Sequence, residues 1–173
     1  LDSAAMKKID EYSIKTTGIP SVVLMERAAL SVSSLVEKLA CNKKDSPQKD
    51  ISICVVCTKG NNGADGLAAI RQLYLHGYKT FVYEAGRKEP GTDEYELQKN
   101  IIKNLGIPLE CAVQDNILPL DEYDFIIDAM FGIGLSRDVT GVYAQLIDEI
   151  NRVSAVKVAV DIPSGLCAGK VQG

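Results

Sequence analysis

Apolar residues recur along this chain in two alternating rhythms. Short, largely unbroken runs are "ISICVVC" (51–57), "KTFVYEA" (79–85), "YDFIIDAM" (123–130) and "VKVAV" (156–160). Runs of this length bounded by turn residues read as strands buried on both faces, and "PLECAV" (108–113) reads as a shorter one. Between them, apolar positions three and four apart predict helices. Ser3 precedes "AAMKKIDEYSIKTTG", with Met6, Ile9 and Ile14 on one face and Gly18 as its stop; Pro20 opens a longer helix whose stripe is Met25, Ala28, Val32, Leu35 and Leu39. A helix follows residue 60 and stops at Gly77, another carries Leu97, Ile101 and Leu105, and the last carries Val142, Leu146, Ile150 and Val153. Strands alternating with amphipathic helices imply right-handed crossovers and a parallel sheet covered on both faces. The predicted fold is therefore an α/β, Rossmann-like three-layer α/β/α sandwich, one domain over residues 1–173. The small, flexible residues running to Gly173 read as a truncated end.

Composition narrows the partners. The 173 residues carry a net charge of −4 with scattered Lys and Arg, which argues against a nucleic-acid backbone. No apolar stretch approaches the ~20 residues of a membrane span, and no secretory or lipidation signal is visible. Five cysteines, most of them in or beside apolar runs, suit reduced thiols and a cytoplasmic setting better than a disulfide framework. Cys54 and Cys57 form a C-x-x-C, but three residues apart in a strand they point to opposite faces and do not converge on a metal.

In an open parallel sheet, ligands bind beyond the carboxyl ends of the strands. Three strands deliver polar groups there: the first leads into Gly60, Asn61, Asn62, Gly63, Ala64 and Asp65, the fourth ends in Asp128, and the fifth in Asp161 with Ser164 after it. One such Asp is usually a cap or turn former; three together with two asparagines point to a ligand. The glycine turn fits neither G-x-G-x-x-G nor the P-loop pattern, yet backbone N–H groups opening a helix attract anions and the amides suit hydroxyls or a cation. A second glycine-rich loop, Gly132, Ile133, Gly134, Leu135, Ser136, Arg137 and Asp138, follows Asp128 and offers Arg137 to phosphate. The lone His76 lies at a helix end away from this edge, so acid–base chemistry falls to carboxylates, Asp161 and Asp128 first.

"IPSVVLMERAA", "KGNNGADGLAAIRQL", "DAMFGIGLSR" and "VAVDIPSGL" together resemble, in order and spacing, the YjeF N-terminal family of NAD(P)H-hydrate epimerases. The resemblance spans essentially the whole chain. It implies an isomerase that interconverts the R and S forms of the hydrated cofactors NADHX and NADPHX, so that an ADP- or ATP-dependent dehydratase, fused or separate, restores both. It also implies one bound potassium ion per subunit, with Asn62, Asp128 and Ser164 as ligands. Asn61 to Asp65, the loop from Gly132 to Asp138, and Asp161 are then the substrate contacts, and Asp161 the candidate acid/base. The long second helix is the expected face of a homo-oligomer. Where the family often reads G-x-G-N-N-G-G-D-G, this chain has Thr58 and Lys59 before Gly60, and Ala64. A left-handed backbone at Ala64 would cost about 1–2 kcal/mol, and Lys59 offers a further phosphate contact. Two other classes compete: a non-catalytic binding or dimerisation module of the same fold, as in relatives among messenger-RNA decapping enhancers and an apolipoprotein-binding protein, and a different nucleotide enzyme such as a kinase or dehydrogenase.

Overall fold

The computed structural model describes residues 5, 8, 9, 12, 14–41, 47–86, 89–133, 135 and 138–166. The helix expected from Ser3 over Met6 falls largely outside them, as do Gly134, Ser136 and Arg137. The described elements run α1 (Ser21–Ala40), β1 (Ser52–Cys57), α2 (Asn61–Leu75), β2 (Lys79–Glu84), α3 (Asp93–Asn104), β3 (Leu109–Cys111), β4 (Phe125–Ala129), α4 (Val142–Arg152) and β5 (Val156–Ala159). All five strands are parallel in the order β3-β2-β1-β4-β5. The order reverses between β1 and β4, and right-handed crossovers on either side of that reversal must place their helices on opposite faces. Accordingly α1, α2 and α3 share one apolar core with Val55, Val82 and Ile127, while α4 shares the other with Cys54, Val56 and Ile126. The Rossmann-like sandwich is as the sequence predicts.

Strand register aligns the carboxyl ends: Cys57 pairs with Glu84 and Ala129, and Asp128 with Ala159. α2 lies close on this edge because Gly66 has no side chain; a Cβ there would stand 2.3 Å from the Ala129 Cβ. Gly77, at φ 92°, ends α2 in a left-handed turn, as expected of a C-terminal glycine. Thr92 caps α3, its Oγ1 accepting a hydrogen bond from the Tyr95 N–H at 3.3 Å, and Asp93, Glu94 and Glu96 complement the helix dipole.

Two helix faces differ from the sequence reading. α3 buries Tyr95, Gln98 and Ile102 and leaves Leu97 47% exposed, so the stripe of Leu97, Ile101 and Leu105 is not its core face. α1 buries Met25, Ala29, Val32, Ser33, Val36 and Ala40 and exposes Leu35. The cause is polar pairing between helices. Glu26 of α1 receives Arg71 at 2.5 and 2.7 Å, Gln72 at 3.1 Å and Gln98 at 3.2 Å, while the Ser33 hydroxyl donates to Gln72 at 2.8 Å. Satisfied in this way, glutamines can be buried in place of leucines. α4 behaves as predicted, with Leu146, Ile150 and Val153 buried. None of the described helices is long and apolar enough to cross a bilayer.

Candidate active site

The Asp128 carboxylate is the centre of the β4–β5 edge. It is buried, and both its oxygens are occupied: Oδ1 accepts from the Ser164 hydroxyl at 2.6 Å and the Met130 N–H at 3.3 Å, and Oδ2 from the Ser164 N–H at 2.7 Å. Ser164 Oγ in turn accepts from the Phe131 N–H at 3.0 Å. Hydrogen bonds to an ionised acceptor are each worth about 1.5–3 kcal/mol. They fasten the turns after β4 and β5 to one another. Thr58 adds the turn after β1, its Oγ1 donating to the Met130 carbonyl at 2.6 Å.

Asp161 stands outside this knot. Its side chain is exposed and Oδ2 accepts from the Ile133 N–H at 2.7 Å. Gly132 is required beneath it, because a Cβ would lie 2.4 Å from that oxygen. So the two aspartates separate in role: Asp128 is enclosed and fully engaged, whereas Asp161 faces solvent on the loop that begins at Gly132. Among the described residues no Lys or Arg pairs with either.

The asparagine turn is the first turn of α2, with Gly60 as N-cap. Gly63 is fixed by the tightness of the turn, since a Cβ would meet the Thr58 carbonyl oxygen at 1.7 Å. Ala64 is helical and buried, and Asp115 alone among described non-glycine residues has positive φ; the left-handed strain considered for Ala64 does not arise. Asn61, Ala64 and Asp65 line a cavity of about 230 Å³ against Leu24, Met25 and Ala28 of α1. Asn62, one helical turn before Gly66, lies on the face α2 turns toward β4. Its side-chain amide nitrogen is buried with no hydrogen-bond partner. Asp128 and Ser164 are thus brought into contact, and Asp161 with Gly132 and Ile133; no hydrogen bond links Asn62 to Asp128 or Ser164. Leu135 forms a turn on the Gly132 carbonyl at 3.1 Å and Asp138 is exposed. The donor set of Asn62, Asp128 and Ser164 fits a monovalent cation, being hard oxygens with a single negative charge. A half-turn of the Asn62 amide exchanges its oxygen for the orphaned nitrogen.

Glu84, which ends β2, was not among the expected site residues although "KTFVYE" carries the same signal as "YDFIID". It is 2% exposed. Lys99 reaches its Oε2 at 2.5 Å and Lys59 its Oε1 at 3.4 Å, the Tyr95 hydroxyl donates to Oε2, and Cys111 Sγ lies 3.5 Å from Oε1. Burial pushes this carboxyl up, and the hydrogen bonds from Lys99 and Tyr95 with the charges of both lysines more than offset it, so it is held below the ordinary range. Cys54 and Cys57 are buried in opposite cores, as strand geometry requires. Burial first, then neighbouring charge, raises both thiols, Cys57 to about 12. They are core residues.

Comparison with known proteins agrees with this arrangement. The family model described as YjeF-related protein N-terminus matches residues 21–172. The chain belongs to that family. NAD(P)H-hydrate epimerase of Oenococcus oeni is 40% identical over 176 residues, covering 100% of this chain and 79% of the relative. NAD(P)H-hydrate epimerase of Limosilactobacillus reuteri is 39% identical, covering 99% and 77%. The crystal structure of yeast YNL200c superposes with a TM-score of 0.84 at 27% identity, over 95% of this chain and 70% of that one. In this YjeF-related chain the two motifs richest in glycine, after β1 and after β4, both close on the same sheet edge.

Proposed function

We propose that this chain is an isomerase that epimerises NADHX and NADPHX at the hydrated carbon, with the reaction at the β4–β5 edge. Relatives of the same length and name support the reading. The observation that carries it is the pairing of an enclosed Asp128 with an exposed Asp161 held by one oxygen. The hydrated carbon bears both a hydroxyl and the ring nitrogen. Inversion there requires a carbon–oxygen or carbon–nitrogen bond to break and re-form, and either route moves one proton on and off the hydroxyl. Asp161 is the group we assign to that proton, its position set by the Ile133 N–H and by the open space at Gly132. Asn61, Ala64 and Asp65 supply polar and apolar contacts to the substrate from the cavity beside α1.

Asn62, Asp128 and Ser164 are the residues that would hold potassium. Bound there, the ion would supply one fixed positive charge beside an anionic substrate. The product epimer would then pass to a dehydratase dependent on ADP or ATP, fused or separate.

Adding purified protein to one resolved epimer of NADHX, in potassium and in sodium buffers, and separating the epimers by chromatography tests the reading. Acceleration over the spontaneous rate from either epimer, greater in potassium, is expected. No acceleration in either buffer would favour the non-catalytic module.

A further inference from the structure

Where β1 and β2 end, a cleft of about 380 Å³ opens toward the start of α4, lined by Thr58, Lys59, Ala85, Gly86, Pro90 and Tyr143. It adjoins the reaction edge through the Thr58 hydroxyl, which donates to the Met130 carbonyl. Lys59 is 17% exposed; its ammonium donates to the Glu89 carbonyl at 3.3 Å and stands 3.4 Å from Glu84 Oε1. Lys99 sits on the other Glu84 oxygen, so two ammonium groups face one carboxylate and one positive charge is left over. The Glu89 side chain at the rim is exposed, where salt screens it.

A dinucleotide on an open parallel sheet spans the point where strand order reverses, with one half on each side. That point lies between β1 and β4. If the nicotinamide half reacts at the β4–β5 edge, the adenosine half falls to the β1–β2 edge. An acid ending β2 ordinarily accepts the ribose hydroxyls there, and a cation takes a 2′-phosphate in their place. Glu84 is buried with both oxygens engaged and has no capacity for a ribose. Lys59 lines the cleft, and Tyr143 gives it an aromatic wall suited to a purine.

Building on the epimerase reading, we propose that this cleft is the adenosine-ribose subsite and that Lys59 binds a 2′-phosphate, so that the phosphorylated substrate NADPHX is preferred over NADHX. The probes are 2′,5′-ADP and 5′-ADP, titrated calorimetrically at fixed ionic strength. The wild-type chain is expected to bind 2′,5′-ADP about tenfold more tightly, the scale of one charge-assisted contact. Lys59→Met is expected to erase that difference and Lys59→Arg to keep most of it. In turnover, the ratio of kcat/KM for NADPHX over NADHX should fall about tenfold in Lys59→Met, through KM rather than kcat. Equal affinity of the wild-type chain for the two probes overturns the proposal even if Lys59→Met fails to fold, as does an unchanged preference in a folded Lys59→Met. Because probe binding needs no turnover, an inactive chain that still prefers 2′,5′-ADP would refute the epimerase reading alone, and an active chain without the preference would refute this inference alone.

Discussion

Glu84 and Asp128 occupy equivalent places, each ending or nearly ending a parallel strand at the same sheet edge, and each is buried. Their surroundings differ in charge. Two lysines and a tyrosine neutralise Glu84, whereas only neutral donors, from Ser164 and Met130, hold Asp128. A carboxylate neutralised by cations ties elements together and has little field left for a ligand. One satisfied by neutral N–H and O–H groups keeps its negative charge. The edge that retains its charge is where a cation or a reacting group is best placed, and the compensated edge is where the surplus ammonium can take an anion.

Replacing Glu84 should have the largest effect on stability. Glu84→Ala strands Lys59 and Lys99 in a largely buried place, and losing one partner of such a pair costs about 3–5 kcal/mol. The partial exposure of both lysines places the expectation near the lower figure, read from the urea midpoint. Because the folded carboxyl is held below its ordinary value, its contribution is present at neutral pH and is lost as pH falls through and below the ordinary carboxyl range of about 4.3. Glu84→Gln should therefore be less stable at neutral pH and lack that part of the acid slope.

Asp128→Ala leaves the Ser164 hydroxyl and N–H and the Met130 N–H without their acceptor, a cost of about 1–3 kcal/mol. Its larger effect should fall on epimerisation, by about 100-fold, since the loops that carry Asp161 and Phe131 lose their common anchor. A smaller loss is expected from Gly66→Ala, about 1–3 kcal/mol from overpacking against Ala129, with activity falling only as α2 is displaced. Thr92→Ala removes a helix cap at the β1–β2 side and should cost about 1 kcal/mol, leaving the preference between epimers unchanged. If Thr92→Ala slowed turnover as much as Asp128→Ala, the distinction between the two edges would fail.

Strand order, the helix boundaries and the acids ending β4 and β5 were legible in the sequence because they rest on local patterns: apolar runs, periodicity, glycine stops and a terminal Asp. The roles of the strand-end acids were not. Nothing near Glu84 in sequence announces that Lys59 from the turn after β1 and Lys99 from α3 will converge on it. The rotated faces of α1 and α3 share this cause, since Glu26, Arg71, Gln72 and Gln98 come from three helices and meet only after folding. Ala64 illustrates the converse. A family pattern suggests a glycine conformation there, but the residue is helical, and the glycine that the turn cannot lose is Gly63, under the Thr58 carbonyl.

The most direct test is the rate at which one epimer of NADHX relaxes to the equilibrium mixture with wild-type, Asp161→Asn and Glu84→Gln proteins, compared at equal folded fraction. Asp161→Asn should lose at least about 100-fold, the scale of a positioned acid–base group, while folded Glu84→Gln stays within a few-fold of wild type on NADHX. A folded Asp161→Asn protein turning over at the wild-type rate would contradict the assignment of the chemistry to the β4–β5 edge.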